Sequence, residues 1–158
     1  MRREGEASVT IEAPAESVWA VVADVTRVGE WSGECRGCTW LGGADAPVPG
    51  ARFRGRNRRG SFRWTRTNEV VTAERPRELA WRTVPGGPYP DATEWHLELA
   101  EDGSRTVVRE SFRIVKMPRV MEVLIPLAMP AHRDRSEDLA GDLRRLKSLV
   151  EGTAPATP

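Results

Sequence analysis

The sequence predicts an α+β fold in which a curved antiparallel sheet of about seven strands wraps around one long C-terminal helix. The order of elements indicates this: one strand, a short helical region, six further strand-like stretches and a closing amphipathic helix. The second indication is the period of the apolar residues, which changes from two to about 3.6 at the ends of the sheet region. A single terminal helix cannot cover both faces of so long a sheet. The sheet must therefore curl, and a space should remain between sheet and helix.

The first strand is predicted at Ser8 to Glu12, where apolar and polar residues alternate. Pro14 then lies in the predicted first turn of a helix, where the backbone N–H that proline lacks would have no partner within the helix. Valines follow it at helical spacing up to Val25. A second short helical turn is predicted at residues 27–31, because the Ser-Gly pair that follows interrupts the pattern. Two short helices should therefore come directly after the first strand.

Six more strands are predicted by alternation, at residues 39–41, 51–58, 62–73, 79–84, 93–99 and 106–115. The Arg59-Gly60-Ser61 and Asp102-Gly103 segments between them are hairpin signals. Strands that are joined by such tight turns pair antiparallel with their neighbours.

Helical spacing returns after the last strand. A first helical stretch is predicted at residues 118–127, with Pro126 and Pro130 interrupting it. The main helix is predicted from about residue 132 to residue 151, with an apolar stripe from Leu139 to Val150. We expect one domain at residues 1–152 and a frayed tail at residues 153–158.

Composition excludes several classes of function. The net charge of +1, from 24 basic and 23 acidic residues, gives no overall attraction to nucleic acid or anionic lipid. No apolar run approaches the roughly 20 residues that a membrane-spanning helix needs, and no apolar segment follows the basic start as in a secretory signal. We expect a cytoplasmic monomer or homodimer that neither inserts into membranes nor binds nucleic acid.

Several stretches carry a family resemblance. They are residues 13–19, 30–32, 50–53 and 70–76, together with the terminal helix. In their order they resemble the START-like superfamily with its helix-grip fold, and within it the polyketide cyclase/dehydrase and lipid-transport family. The resemblance covers nearly the whole chain and implies a deep cavity between sheet and C-terminal helix that holds an apolar small molecule. It implies no shared catalytic triad, since members include aromatase/cyclases, lipid carriers and hormone receptors.

Candidate ligand-binding residues lie mainly on the predicted strands. Aromatic side chains on one concave face would form a flat slot suited to planar ligands, although core residues show the same pattern. Polar residues on that face would orient a ligand. The candidates are Trp31, Phe53, Asn57, Trp64, Arg66, Asn68, Trp81, Trp95, Leu97, Phe112, Met121 and Leu124.

Two residues are candidates for acid–base catalysis. Glu110 alternates with Val108 and Phe112, so burial would favour its acid form unless Arg66 or another cation pairs with it. Such a carboxyl group can donate and accept protons, as keto–enol and dehydration chemistry requires. His132 is expected near the cavity mouth, where it would serve as acid, base or hydrogen-bond donor. The alternatives are a structural Glu110–arginine salt bridge, or an outward turn of Glu110, and a solvated histidine.

The cysteines stand as Cys35-Arg-Gly-Cys38, a spacing found in redox pairs and in half of a zinc site. A thioredoxin-like pair opens a helix, whereas this one leads into a strand. A zinc site needs two further ligands, and the only histidines, His96 and His132, are far apart in sequence. The sequence therefore favours two small part-buried thiols at a loop-to-strand junction, with no metal and no cofactor.

The arginines between residues 52 and 59, together with Arg63, form a stripe along one predicted hairpin. The outer face of a one-sided sheet must be polar, so we expect a solvated face there, and His96 should also face solvent. Binding of nucleic acid or of an acidic protein is the alternative.

Two functions follow from these patterns. The first is binding of an apolar, aromatic, polyketide-like or lipid-like small molecule in the cavity between sheet and C-terminal helix. The second is an aromatase/cyclase or dehydrase activity that uses the same cavity, with Glu110 and His132 moving protons.

Overall fold

The sheet of the computed structural model, which describes residues 1–153, has seven antiparallel strands in the order β1-β7-β6-β5-β4-β3-β2. The strands are β1 (Glu4–Ile11), β2 (Cys35–Trp40), β3 (Arg52–Arg59), β4 (Phe62–Glu74), β5 (Glu78–Thr83), β6 (Ala92–Asp102) and β7 (Arg105–Lys116). β2 to β7 follow one another as a meander, and β1 pairs with β7 at the far edge. The predicted fold class is confirmed.

The helices are α1 (Ala15–Val22), α2 (Val28–Trp31), α3 (Arg119–Ala128) and α4 (Ser136–Thr153). Two 3₁₀ turns, Val25–Arg27 and Pro130–Arg133, precede α2 and α4. Among residues 1–153, none of the helices has the length and apolar character that crossing a lipid bilayer demands.

Several predicted boundaries are wrong. β1 begins at Glu4 instead of Ser8, and β2 begins at Cys35 instead of residue 39. The main helix begins at Ser136 instead of about residue 132, because Pro130–Arg133 forms a separate turn. The preceding helix runs to Ala128, close to its predicted end at residue 127, and Pro126 lies inside its last turn, where it removes one hydrogen bond. Thr153, predicted as the first residue of a tail, closes α4, and the rest of that predicted tail, residues 154–158, lies outside the described residues.

The helices cover the concave face of the sheet unequally. α4 packs mainly along β1 and also reaches β7, and α1 packs on β6 and β7. Leu97, Leu99 and Val108 lie in the solid core that forms there. The apolar stripe of α4 belongs to this core through Leu143, Leu146 and Val150, as its helical spacing predicts. At the opposite ends of the strands, where Trp95 and Phe112 lie, the helices do not fill the concave face.

Gly29 is required where α2 passes β2. A Cβ atom at this position would lie 2.6 Å from the carbonyl oxygen of Arg36, which is a backbone atom of a paired strand and cannot turn aside. We expect Gly29→Ala to lower the free energy of unfolding by about 1–3 kcal/mol, measured by urea denaturation. Gly152→Ala is the control, because nothing lies within 4 Å of a Cβ there and alanine favours the helix. Unchanged stability of Gly29→Ala would contradict this close approach.

Candidate functional site

A cavity of about 690 Å³ lies between the unfilled part of the concave face and a cover made by α3, the Pro130–Arg133 turn and α4. This volume lies in the range of about 300–1,000 Å³ that is typical of small-molecule sites. Alternate residues of the strands form its floor, because side chains at every second position share a face. The predicted candidates on its wall are Trp31, Phe53, Asn57, Trp64, Arg66, Asn68, Trp81, Trp95, Glu110, Phe112, Met121 and His132.

Aromatic rings make up much of this floor. The rings of Trp95 and Phe112 lie 5.6 Å apart between centroids with planes tilted by 38°, and Phe53 meets Trp81 edge to face at 6.1 Å. The guanidinium of Arg135 lies over the Trp95 ring, 4.9 Å from its centroid. The slot therefore presents flat apolar surfaces together with a cation.

Leu97 does not line the cavity. It shares the concave face with Trp95 but lies on the part that the core covers, and it is fully buried there. Alternation identifies the face of a strand correctly. It does not tell where along the strand the covering helices stop.

Leu124 is also outside the cavity, because its side chain points away from it and is 55% exposed. The inner side of the α3 region instead presents Met117, Met121, Ile125 and Met129, at a regular spacing of four residues. Of these, only Met121 is among the candidates predicted from sequence. The sequence does not single out this row, because the outer side of the helix is apolar as well. Methionines there provide an adaptable apolar surface.

Glu110 is fully buried in the cavity wall. Burial raises its pKa well above the ordinary value, and the charge of nearby Asp142 raises it further, against the opposing charges of Arg135 and Arg145. Arg66 does not pair with it, since its guanidinium binds Asp91 at 2.8 Å instead. Within residues 1–153 no ion pair involves Glu110, so burial shifts it toward its acid form.

His132 is buried rather than solvated. Its Nε2 atom lies 2.7 Å from Oε1 of Glu34, and the same carboxylate binds the guanidinium of Arg135. Arg59 lies 3.7 Å from Glu34 and also binds Asp138 at 2.7 Å. This group of five residues, which we call the mouth cluster, joins the sheet edge to the turn and to α4.

The mouth cluster controls the charge of Glu34. Burial alone would raise the pKa of Glu34, but the hydrogen bond with His132 and the charges of Arg135 and Arg59 lower it to about 2. Glu34 is therefore a carboxylate at neutral pH, whereas burial shifts the pKa of Glu110 in the opposite direction. Sequence reasoning did not select Glu34, Arg135 or Asp138. It was wrong to place Arg59 in the solvated stripe, because Arg59 has the same alternation as Phe53 and lies on the inner face.

Four buried side-chain atoms have no hydrogen-bond partner among the described residues: Trp31 Nε1, Asp91 Oδ1, Glu110 Oε2 and Arg135 Nε. All four residues line the cavity. Buried polar groups in folded proteins are nearly always paired, so their concentration in one place indicates a binding site.

The outer face of the sheet is polar. Arg52, Arg54, Arg56 and Arg58 are exposed there, as the alternation predicts. His96 is only half exposed and lies 3.2 Å from Glu78 on that face. No group of three or more potential metal ligands comes together among residues 1–153.

The chain was compared with a set of family models, with curated proteins and with solved structures. A family model described as polyketide cyclase / dehydrase and lipid transport matches residues 2–151. A comparison with curated proteins returns no match.

Among solved structures, the chain is similar to the Zhui aromatase/cyclase from Streptomyces sp. R1128, with 20% identity, a TM-score of 0.69, and coverage of 98% of this chain and 96% of that one. It is similar to a START superfamily protein from Mycobacterium smegmatis, with 18% identity, a TM-score of 0.68 and coverage of 96% and 99%. A polyketide-cyclase-like protein from Corynebacterium glutamicum has 28% identity, a TM-score of 0.56 and coverage of 98% and 97%. At these identities the first two likenesses concern the fold.

Proposed function

The chain belongs to the polyketide cyclase / dehydrase and lipid transport family, and we propose that it binds a planar, largely apolar small molecule bearing oxygen atoms in the cavity between its sheet and C-terminal helix. The observation that carries this proposal is the set of four unpartnered polar atoms within residues 1–153, all on the wall of one cavity of about 690 Å³.

The chemistry of these atoms favours an oxygenated ligand. Trp31 Nε1 and Arg135 Nε are donors, and the acid form of Glu110 is a third donor, whereas Asp91 Oδ1 is an acceptor. An unpaired buried polar group costs about 1–3 kcal/mol, which a ligand carbonyl or hydroxyl oxygen would recover. A site with three hydrogen-bond donors and one acceptor suits ketones, whose oxygen accepts hydrogen bonds, and phenols, which accept and donate them.

The shape of the wall favours a planar ligand. Trp95 and Phe112 on one side, and Phe53 and Trp81 beside them, offer ring faces and edges against which a fused aromatic system stacks. Burial of the rings of the ligand supplies most of the affinity, and the polar atoms fix its orientation.

Gly55→Leu tests this proposal, because Gly55 lines the cavity and a Cβ atom there would make only ordinary contacts, the nearest at 3.6 Å to Asn68. The remaining leucine atoms would extend into the cavity. We expect the variant to bind 1,8-dihydroxyanthraquinone at least about tenfold more weakly than the unaltered protein, measured by quenching of tryptophan fluorescence. Thr65→Leu is the matched control, since Thr65 is exposed on the opposite face of the adjacent strand.

Anthracene provides the second comparison, because it keeps the planar ring system and lacks oxygen. We expect it to bind more weakly than the anthraquinone to the unaltered protein. Equal affinity of Gly55→Leu and the unaltered protein for the anthraquinone, or failure of the unaltered protein to bind it, would contradict the proposal.

A second candidate function is catalysis of cyclisation or dehydration in the same cavity. The specific observation in its favour is that two groups on one wall have pKa values shifted in opposite directions: the pKa of Glu110 is raised by burial, and the pKa of Glu34, which is hydrogen-bonded to His132, is lowered to about 2. One can give a proton while the other accepts one. Under this candidate, Glu110→Gln loses turnover of a poly-β-ketone while it keeps anthraquinone binding within about tenfold.

A further inference from the structure

The two cysteines lie on the same face of β2 because of a β-bulge. In a regular strand, residues three apart point to opposite faces. Here Cys35 pairs with Asn57, Gly37 with Arg56 and Cys38 with Gly55, so three steps along β2 correspond to two along β3. Arg36 is the extra residue of the bulge, and it brings both thiols to the concave side.

The sulfur atoms of Cys35 and Cys38 are 3.3 Å apart, and both cysteines line the cavity as free thiols. Gly55 faces them, and a Cβ on it would lie at ordinary contact distance, 3.7 Å from the sulfur of Cys38 and 3.8 Å from that of Cys35. A disulfide requires about 2.05 Å between the sulfurs, so small rotations of the two side chains would be enough to form one.

The two thiols differ in acidity. The hydrogen bond with Cys38 lowers the pKa of Cys35, with help from the Arg56 charge and against burial and the charge of Glu34. The same hydrogen bond and burial raise the pKa of Cys38. Cys35 is therefore the better nucleophile, and Cys38 lies beside it as a resolving thiol.

We propose that Cys35 and Cys38 form a redox-active dithiol on the cavity wall, which a hydroperoxide oxidises reversibly to a disulfide. The Cys35 thiolate attacks the peroxide, breaks its O–O bond and becomes a sulfenic acid, with release of an alcohol, or of water from hydrogen peroxide. The Cys38 thiol then displaces water from that sulfur and forms the S–S bond. In sum, two thiols and one hydroperoxide give one disulfide, one alcohol and one water. An external dithiol restores the reduced pair by exchange.

This proposal does not depend on which ligand occupies the cavity. It differs from the thioredoxin arrangement, in which the pair opens a helix, because here a bulge in an edge strand brings the sulfurs together. A small neutral peroxide can reach the pair through the cavity.

The test is treatment of the purified, reduced chain with hydrogen peroxide, followed by intact mass spectrometry. We expect a loss of two hydrogens per chain, which dithiothreitol reverses. In Cys38→Ser we expect a Cys35 sulfenic acid that dimedone traps. In Cys35→Ser we expect the reaction at Cys38 to be at least about tenfold slower. Equal trapping at both positions, or disulfides that form only between chains, would overturn the proposal.

A second measurement needs no variant. Phenylarsine oxide condenses with two thiols that lie within bridging distance and releases one water, so the unaltered chain should gain one cross-linked phenylarsenic group that monothiols do not displace. Addition without bridging would show that the sulfurs do not come together in solution and would overturn the proposal.

Discussion

Replacing Glu34 with alanine is expected to lower the free energy of unfolding by about 3–5 kcal/mol at neutral pH. The part-buried carboxylate of Glu34 is the shared partner of His132 at 2.7 Å, of Arg135 and of Arg59 at 3.7 Å. Its loss leaves Arg135 and His132 in a part-buried site without their shared carboxylate, and leaves Arg59 with Asp138 alone. Urea denaturation measures the change.

Glu16→Ala is the matched control for this effect. Glu16 also binds an arginine, Arg75, at 2.8 Å, but the side chains are 54% and 71% exposed. Water screens such a pair, so its loss should cost less than about 1 kcal/mol. Losses of similar size in the two variants would contradict the importance of burial in the mouth cluster.

The effect of Glu34 should also depend on pH. Its folded pKa of about 2 lies below the ordinary 4.5, so its contribution is present above pH 4.5 and is lost as the pH falls toward 2. A shift of this size corresponds to about 3 kcal/mol. The difference in stability between the unaltered protein and Glu34→Ala should therefore shrink through that window. A difference that stays constant from pH 7 to pH 3 would mean that Glu34 is not held ionised by its partners.

The sheet was predictable because its strands alternate clearly. Along β7, Val108, Glu110 and Phe112 fall on one face in the sequence, and the structure places all three on the concave side. A glutamate within such an apolar series is conspicuous, and for this reason Glu110 could be selected from the sequence. Alternation with a period of two can be recognised from the residues of one strand alone.

The buried side of α3 was harder to predict because nearly every position in this helix is apolar. Val120, Val123, Leu124 and Leu127 are all exposed, while Met121 and Ile125 face the cavity. With apolar residues all round, the helical period does not identify the buried side, and only the tertiary position of the helix does.

The mouth cluster and the cysteine pair could not be predicted from local sequence patterns, for different reasons. Glu34 and His132 are 98 residues apart in the chain, and nothing in either segment indicates the other. The bulge at Arg36 is a backbone irregularity that reverses the expected facing of Cys38 relative to Cys35. Both features depend on how the edge of the sheet meets the covering helices.

Replacing Glu110 with glutamine is expected to raise the free energy of unfolding above pH 4.5, by an amount that grows with pH. Burial raises the folded pKa of Glu110 well above its ordinary value of 4.5, so the folded state keeps a proton that the unfolded state releases. The contribution of the protonated carboxyl is complete below the unfolded pKa. It declines as the pH rises toward the folded pKa, by at most about 1.4 kcal/mol per pH unit. Glutamine has a similar shape and no proton to lose.

Urea denaturation of both proteins between pH 4.5 and pH 8 measures this growing difference. Glu98→Gln serves as the control, because Glu98 is 45% exposed on the outer face, where it binds Arg109 at 2.8 Å. Its replacement should change stability by less than about 1 kcal/mol at every pH. If Glu110→Gln instead destabilised the protein increasingly toward pH 8, Glu110 would be an ionised partner of a buried cation.

The same variant separates the two functions of the cavity. An amide donates a hydrogen bond to a ligand oxygen as a protonated carboxyl does, but it cannot transfer a proton at neutral pH. Glu110→Gln should therefore be more stable at pH 8 and should still bind the anthraquinone. Any proton-transfer chemistry that depends on Glu110 should be lost. A variant that turned over a poly-β-ketone as fast as the unaltered protein would leave Glu110 with an orienting role only. Absence of turnover in both proteins would leave the cavity with binding as its function.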